Sequence, residues 1–286
     1  MRARAGEGAP VRRFGLCADD YGMSPGVSRA IRDLIARGRI NATSVMVVAP
    51  TFSPAEAEAL SVLAGAERRV ALGLHFTLTA PFRPLAKDYR PRSRDGAFPS
   101  LRRKFAAGLL GVLDVSPLAA EAERQLAAFW AAFGRPPDFV DGHQHVHLLP
   151  QVADALLAAM KTAAPRAWLR QCGRARRAPR RWSDPKGLVL DALSRSFCVR
   201  SAKAGFSTNP AFAGTYSFRP DVDYEALFPS FLEGLPDGGL VMCHPGFVDA
   251  ELERLDSLTT LREREYSFFA GDSFPRLLAE HGLVLT

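Results

Sequence analysis

No two of the four cysteines, Cys17, Cys172, Cys198 and Cys243, form a C-x-x-C pair. A disulfide framework is therefore not encoded. Cys17 and Cys243 lie inside apolar runs and read as buried thiols. Long apolar stretches are also missing. The best window, Phe105 to Val115, is too short to span a bilayer. Residues 1 to 13 are small and basic and lack the apolar segment of a signal peptide, which makes the cytoplasm the expected location. No internal repeat and no linker divides the chain. Lysine is scarce: of 37 basic residues only Lys87, Lys104, Lys161, Lys186 and Lys203 are lysine. The net charge of +7 is thus an arginine charge, which a GC-rich genome explains as well as a binding surface does. No nucleic-acid-binding motif accompanies it, so a basic nucleic-acid-binding protein is the distant alternative and no nucleic-acid partner is expected.

What is present is an ordinary globular balance, 47% hydrophobic and 23% charged over 286 residues, enough to bury one large core. Phe14–Ala18 reads as a buried strand. Ser24 then caps a helix with Pro25 in its first position, Val27, Ile31, Leu34 and Ile35 at helical spacing, and Gly38 as its stop. Further strands are expected at Ser44–Val48, Val70–Leu74, Asp138–Asp141, Ala167–Arg170, Gly239–Cys243 and Leu283–Leu285. Helices are expected between them at Pro54–Ala64, Leu101–Leu113, Pro117–Phe133 with Ser116 as cap, Pro150–Thr162, Asp184–Phe197, Tyr224–Leu235, Leu258–Gly271 and Phe274–His281. Pro81–Ser100 shows no periodicity and reads as an excursion loop, placed to act as a lid. Gln171–Trp182 is a basic stretch, and Ala204–Phe218 reads as irregular. Alternating strands and helices predict a parallel sheet or a barrel, and periodicity leaves both open.

The unusual polar residues fall just past strand ends. Asp19 and Asp20 follow the first strand, His75 the third, His143, His145 and His147 the Asp138–Asp141 strand, and His244 the Gly239–Cys243 strand. In parallel α/β folds these ends share the face that carries the active site. Singly, each group has a plain reading: paired acids start turns, a lone histidine is structural, and His244 precedes a Pro-Gly turn signal. The D-G-H-Q-H-V-H run (Asp141–His147) is harder to dismiss. In extended chain its three imidazoles point to one side and need a shared cation or carboxylate partners. One carboxylate with two imidazoles is a usual set for a divalent metal with open positions. A second carboxylate to take a proton from water and a histidine to protonate a leaving group complete an inventory for amide or ester hydrolysis.

Four segments in order, C-A-D-D-Y-G-M-S-P-G-V (Cys17–Val27), G-L-H-F-T-L-T (Gly73–Thr79), D-G-H-Q-H-V-H and C-H-P-G (Cys243–Gly246), resemble the YdjC-like carbohydrate deacetylases. That family includes chitooligosaccharide deacetylases and a branch associated with hopanoid biosynthesis. The resemblance implies a single-domain α/β fold, a distorted TIM-like (β/α) barrel over residues 13–286 behind a flexible basic tail over residues 1–12. It implies one divalent metal ion, magnesium or zinc, and removal of acetyl from an N-acetylated sugar or oligosaccharide. By the same resemblance Asp20, His75 and His143 are the metal ligands, Asp19 is the general base and His244 the general acid. His145 and His147 are left to orient ligands or touch the sugar, and Arg170 to hold the Asp19 carboxylate. Gln144 departs from the D-S-H-H-H-V-H pattern of the chitooligosaccharide members, which leaves the sugar open. The basic stretch at Arg174–Arg181 is read as a solvated loop or as a contact for a lipid- or phosphate-linked substrate. Another metal-dependent hydrolase on the same barrel, such as a phosphoesterase, is the near alternative, and a homodimer is the default assembly.

Overall fold

A computed structural model describes residues 11–65, 70–178 and 184–285 of the chain. Most of the expected basic tail, residues 1–10, lies outside the described residues, as do Arg180 and Arg181 of the basic stretch. The strands are β1 (Arg12–Tyr21), β2 (Ala42–Val45), β3 (Ala71–Phe76), β4 (Phe139–Gly142), β5 (Trp168–Leu169), β6 (Phe212–Ala213), β7 (Gly239–Cys243) and β8 (Leu283–Leu285). All pairings are parallel, in the order β5-β4-β3-β2-β1-β7-β6, with β8 alongside the first residues of β1. The two ends of this path meet through isolated parallel bridges, Leu169 to Thr208 and Arg174 to Phe212. The result is a distorted TIM-like barrel. Its distortion sits at β5 and β6, which contribute two residues each.

The barrel strands are buried on both sides, as parallel strands under helices must be. β2, β4 and β7 are buried along their whole length. The first helix, Pro25–Ala36, starts as the sequence predicts: Ser24 accepts the Val27 N–H, Pro25 leads, and Val27, Ile31, Leu34 and Ile35 face the core. Elsewhere the sequence reading needed correction. β6 lies inside the segment read as irregular, because its two residues carry no alternation to detect. Asp114, not Ser116, caps the helix Val115–Phe133. The helix expected over Tyr224–Leu235 is two short ones, Tyr224–Leu227 and Pro229–Leu232. Pro229 has no N–H to carry the first into the second. A further helix, Ala250–Leu255, had no forecast. Among the described residues no helix is long and apolar enough to cross a membrane.

The loop between β3 and the helix Leu101–Leu109 is pinned rather than loose. Glu121 accepts the N–H groups of Leu85 and Ala86 at 3.1 and 2.7 Å, and Tyr89 accepts from the buried Lys104 ammonium at 2.5 Å. Glycine is required where the first helix meets the C-H-P-G turn. Gly26 donates to the Asp249 carboxylate at 2.5 Å and accepts from Phe247 N–H at 3.3 Å. A Cβ on Gly26 would run into the Phe247 carbonyl. Alanine normally improves a helix by about 1 kcal/mol over glycine. At this position the sign reverses: Gly26→Ala should cost about 1–3 kcal/mol through overpacking, read as a lowered urea midpoint. An unchanged or raised midpoint would contradict the close approach.

Candidate active site

The C-terminal ends of β1, β3, β4 and β7, with the segment that follows β6, open onto one cavity of about 860 Å³. Asp19, Asp20, His75, His143, His145 and His244 all line it. Consecutive residues of a strand normally face opposite ways. Asp20 escapes that rule with a left-handed backbone, φ 71°, which aspartate tolerates better than most residues. Both carboxylates therefore reach the same cavity with different partners.

Asp20 Oδ1 lies 3.2 Å from His75 Nε2 and 3.2 Å from His143 Nδ1, and its Oδ2 accepts from Arg262 Nη2 at 2.7 Å. Burial pushes its pKa up, but the Arg262 guanidinium and the two imidazoles outweigh this and hold it well below the usual carboxylate range. Asp19 is gripped at both oxygens by Arg170, 2.6 Å from Nη1 and 2.8 Å from Nη2. That cation overrides burial and holds Asp19 well below its ordinary value. Arg170 is itself fully buried, and its Nη1 also meets Asp141 Oδ2 at 2.9 Å. The expected contact between Arg170 and Asp19 is present in fork geometry.

His75 is oriented from behind. Its Nδ1 lies 2.6 Å from Asp141 Oδ1 and 3.0 Å from Ser44 Oγ. A carboxylate on Nδ1 holds a proton there and directs Nε2 to the cavity. Burial lowers the His75 pKa, but Asp141 and Asp20 raise it further, to about 10. His143 packs edge-on against His75 and against Phe82 of the pinned loop, with ring centroids 5.4 and 5.6 Å apart.

The histidine run is not extended. His143–Leu148 is a tight 3-10 turn, with left-handed backbone at Gln144 (φ 54°) and His145 (φ 61°). This corrects the expectation of three imidazoles on one side. Only His143 joins Asp20 and His75. His145 points its Nδ1 at the Cys172 thiol, 3.4 Å away, and packs against Phe212. His147 Nε2 donates to the Arg170 carbonyl at 2.7 Å, beneath the site. His147 is buried and holds up the strand that carries Arg170.

His244 lines the same cavity from just past β7, the strand beside β1. Its backbone N–H donates to Glu265 Oε2 at 2.5 Å, and its ring meets Phe218 edge-on. Burial lowers its pKa against the pull of the Asp20 and Asp19 charges. Glu265 also accepts the Tyr216 hydroxyl at 2.6 Å, and burial raises its pKa to about 7. Arg262 and Glu265, on the helix Thr260–Ala270, sequence reasoning missed: L-R-E-R-E-Y reads as a solvated helix. Asp141 was legible only as the start of a motif, and Ser44 only as part of an apolar run. In the basic stretch, Arg174 pairs with Asp184 and Asp191, each at 3.0 Å, while Arg176 and Arg177 are exposed.

Two groups among the described residues could hold a metal ion. Asp20, His75 and His143 offer Oδ1, Nε2 and Nδ1. The second, Cys17, Asp19 and Asp141, already has a cation, because Arg170 Nη1 reaches all three at 4.0, 2.6 and 2.9 Å.

Comparison with known proteins adds the following. Residues 13–280 match the family model described as YdjC-like protein. Chitooligosaccharide deacetylases of Yersinia pestis and Yersinia pseudotuberculosis are each 28% identical over 239 residues, covering 82% of this chain and 82% of theirs. A solved Enterococcus faecalis structure, named as a candidate cellobiose-phosphate cleavage protein, superposes with a TM-score of 0.72 at 20% identity, over 96% of this chain and 97% of that one. This last is a likeness of fold.

The buried His147 carries a pH prediction. Burial, partly offset by its bond to Arg170, lowers its pKa from 6.5 to about 4. Its Nδ1 has no partner, so a second proton finds no acceptor. The stability contributed by the neutral ring is complete above the unfolded value and is lost as pH falls toward the folded one. His147→Gln keeps a donor for the Arg170 carbonyl and removes the titration. Between pH 6.5 and 4.5 the variant should lose about 2 kcal/mol less stability than the native chain in urea unfolding. Equal losses would show that His147 is not held neutral.

Proposed function

The chain belongs to the YdjC-like protein family, and from that premise we propose that it is a metal-dependent hydrolase that removes the acetyl group from an N-acetylated sugar. The observation that carries the reading is the convergence of Asp20, His75 and His143 beside a separately clamped carboxylate, Asp19, with His244 lining the same cavity. The names of the Yersinia relatives support the sugar and the acetyl group.

The donor set fits a divalent ion. The three ligand atoms lie within 4.8 Å of one another, and His75 has the carboxylate behind it that usually orients a metal-bound imidazole. Two imidazoles suit zinc, and a carboxylate with open positions suits magnesium. Such an ion, when bound, polarises an acetamide carbonyl and lowers the pKa of water.

The remaining chemistry falls to the chain. Asp19 takes a proton from the water that attacks the acetamide carbon. Arg170 keeps it ionised at every working pH and fixes its direction, so position rather than basicity makes it effective. His244 delivers a proton to the sugar nitrogen as the C–N bond breaks. Phe218 and Tyr216 form the apolar wall against which a sugar ring packs. Acetate and a free amino sugar leave.

The test is acetate release from a panel of N-acetylated sugars, including chitooligosaccharides and lipid- or phosphate-linked members, with and without a chelator. Release should stop with the chelator. Asp19→Asn should lower kcat about 100-fold or more with metal content retained, whereas His75→Ala should lose both. Chelator-resistant release, or phosphate in place of acetate, would overturn the proposal.

A further inference from the structure

Arg262 is a fully buried cation that the hydrolytic scheme does not use, and it touches the proposed ligand Asp20 directly. The two oxygens of Asp20 are divided. Oδ1 faces His75 Nε2 and His143 Nδ1, and Oδ2 accepts from Arg262 Nη2 at 2.7 Å. The guanidinium is held in place independently of Asp20. The same Nη2 reaches Asp256 Oδ2 at 2.7 Å, and Nε donates to the Leu258 carbonyl at 3.0 Å. The backbone around it is tied to the C-H-P-G turn, where Gly246 N–H donates to the Arg262 carbonyl at 3.1 Å. A Cβ on Gly246 would press on the Arg262 side chain at 3.3 Å. Arg262 is 1% exposed, so water does not compete for its donors.

We infer that Arg262 is a positioning residue that reserves one oxygen of Asp20 and so restricts this carboxylate to ligating a metal ion through the other. The inference rests on the reading of Asp20, His75 and His143 as ligands. A carboxylate free at both oxygens can chelate an ion in bidentate fashion, filling a position that water or the acetamide oxygen would need. A guanidinium N–H on the far oxygen opposes this and draws charge from the ligand, which leaves the ion a stronger Lewis acid. Aspartate at this position is then tuned for turnover rather than for the tightest binding. The left-handed backbone at Asp20 belongs to the same device, since it aims the carboxylate between the imidazoles and the arginine.

The experiment loads the full chain with Co²⁺ and reads three quantities: Co²⁺ affinity by calorimetry, the visible absorption band, whose intensity falls as coordination number rises, and acetate release. Arg262→Met removes this contact while keeping an unbranched buried side chain. Co²⁺ affinity should be kept or raised up to tenfold, the band should weaken, and kcat should drop at least tenfold. Arg262→Lys keeps a cation against Asp20 and should recover most of the band. If Arg262→Met does not fold, Asp256→Asn loosens the guanidinium while retaining it, and should weaken the band in smaller measure. Affinity and kcat falling together, or a band that no variant alters, would overturn the inference while leaving the ligand trio intact. Failure of the unaltered chain to bind Co²⁺ would overturn the trio, and the inference with it.

Discussion

The arrangement of the site depends on one buried cation, Arg170. Its guanidinium joins Asp19 at the end of β1 to Asp141 at the end of β4 from a position just past β5. β5 gives the sheet only two residues, so its backbone ladder alone fixes little. The ion-pair network completes the job, and His147 adds a hydrogen bond to the carbonyl of the same arginine. Burying an arginine with two carboxylates gains little net stability, yet removing one partner strands the others at about 3–5 kcal/mol. Such a network specifies geometry more than it stabilises. Everything downstream inherits that geometry: Asp141 orients His75, His75 faces Asp20, and Asp19 is held ionised at a set angle.

The barrel and most of the site were legible because the signals were local. Strand C-terminal ends coincide with the first polar residues after apolar runs, and a parallel fold collects those ends on one face. That is enough to bring Asp19, Asp20, His75, His143 and His244 together from positions more than 200 residues apart. The resemblance supplied which acid does what, and it supplied the barrel over an open sheet.

Three kinds of feature were not legible. The first is a strand too short to have a period: β6 shows itself only through backbone pairing, with β7 and with Arg174. The second is backbone sign. Alternation in D-G-H-Q-H-V-H was read as extended chain, but two successive left-handed residues fold it into a turn and send the three rings to three destinations. Gly142 gave a hint, because a Cβ there would strike the His147 ring. The third is a helix whose charges point inward. Arg262 and Glu265 are three residues apart and share a face, but nothing in L-R-E-R-E-Y distinguishes a buried pair from a solvated one. Only the positions of Asp20 and of the His244 backbone make that face the inner one.

Charge balance links these features. Around the cavity Asp19, Asp20, Asp141 and Asp256 face the guanidiniums of Arg170 and Arg262. Four carboxylates against two guanidiniums leave an excess of negative charge around the cavity. The same excess raises the pKa of His75 to about 10 in spite of its burial. A field that binds a proton so firmly at an imidazole is one in which a divalent cation is favoured at the same nitrogen, with the proton given up in exchange. The two arginines set how far that field is discharged. Arg170 pairs with the carboxylate proposed as the base, and Arg262 with the carboxylate proposed as a ligand. The helix that carries Arg262 also carries Glu265, which holds the backbone of His244. One surface helix thus buttresses both Asp20, through Arg262, and the backbone of His244, through Glu265, and their places in the cavity depend on its inward face staying packed.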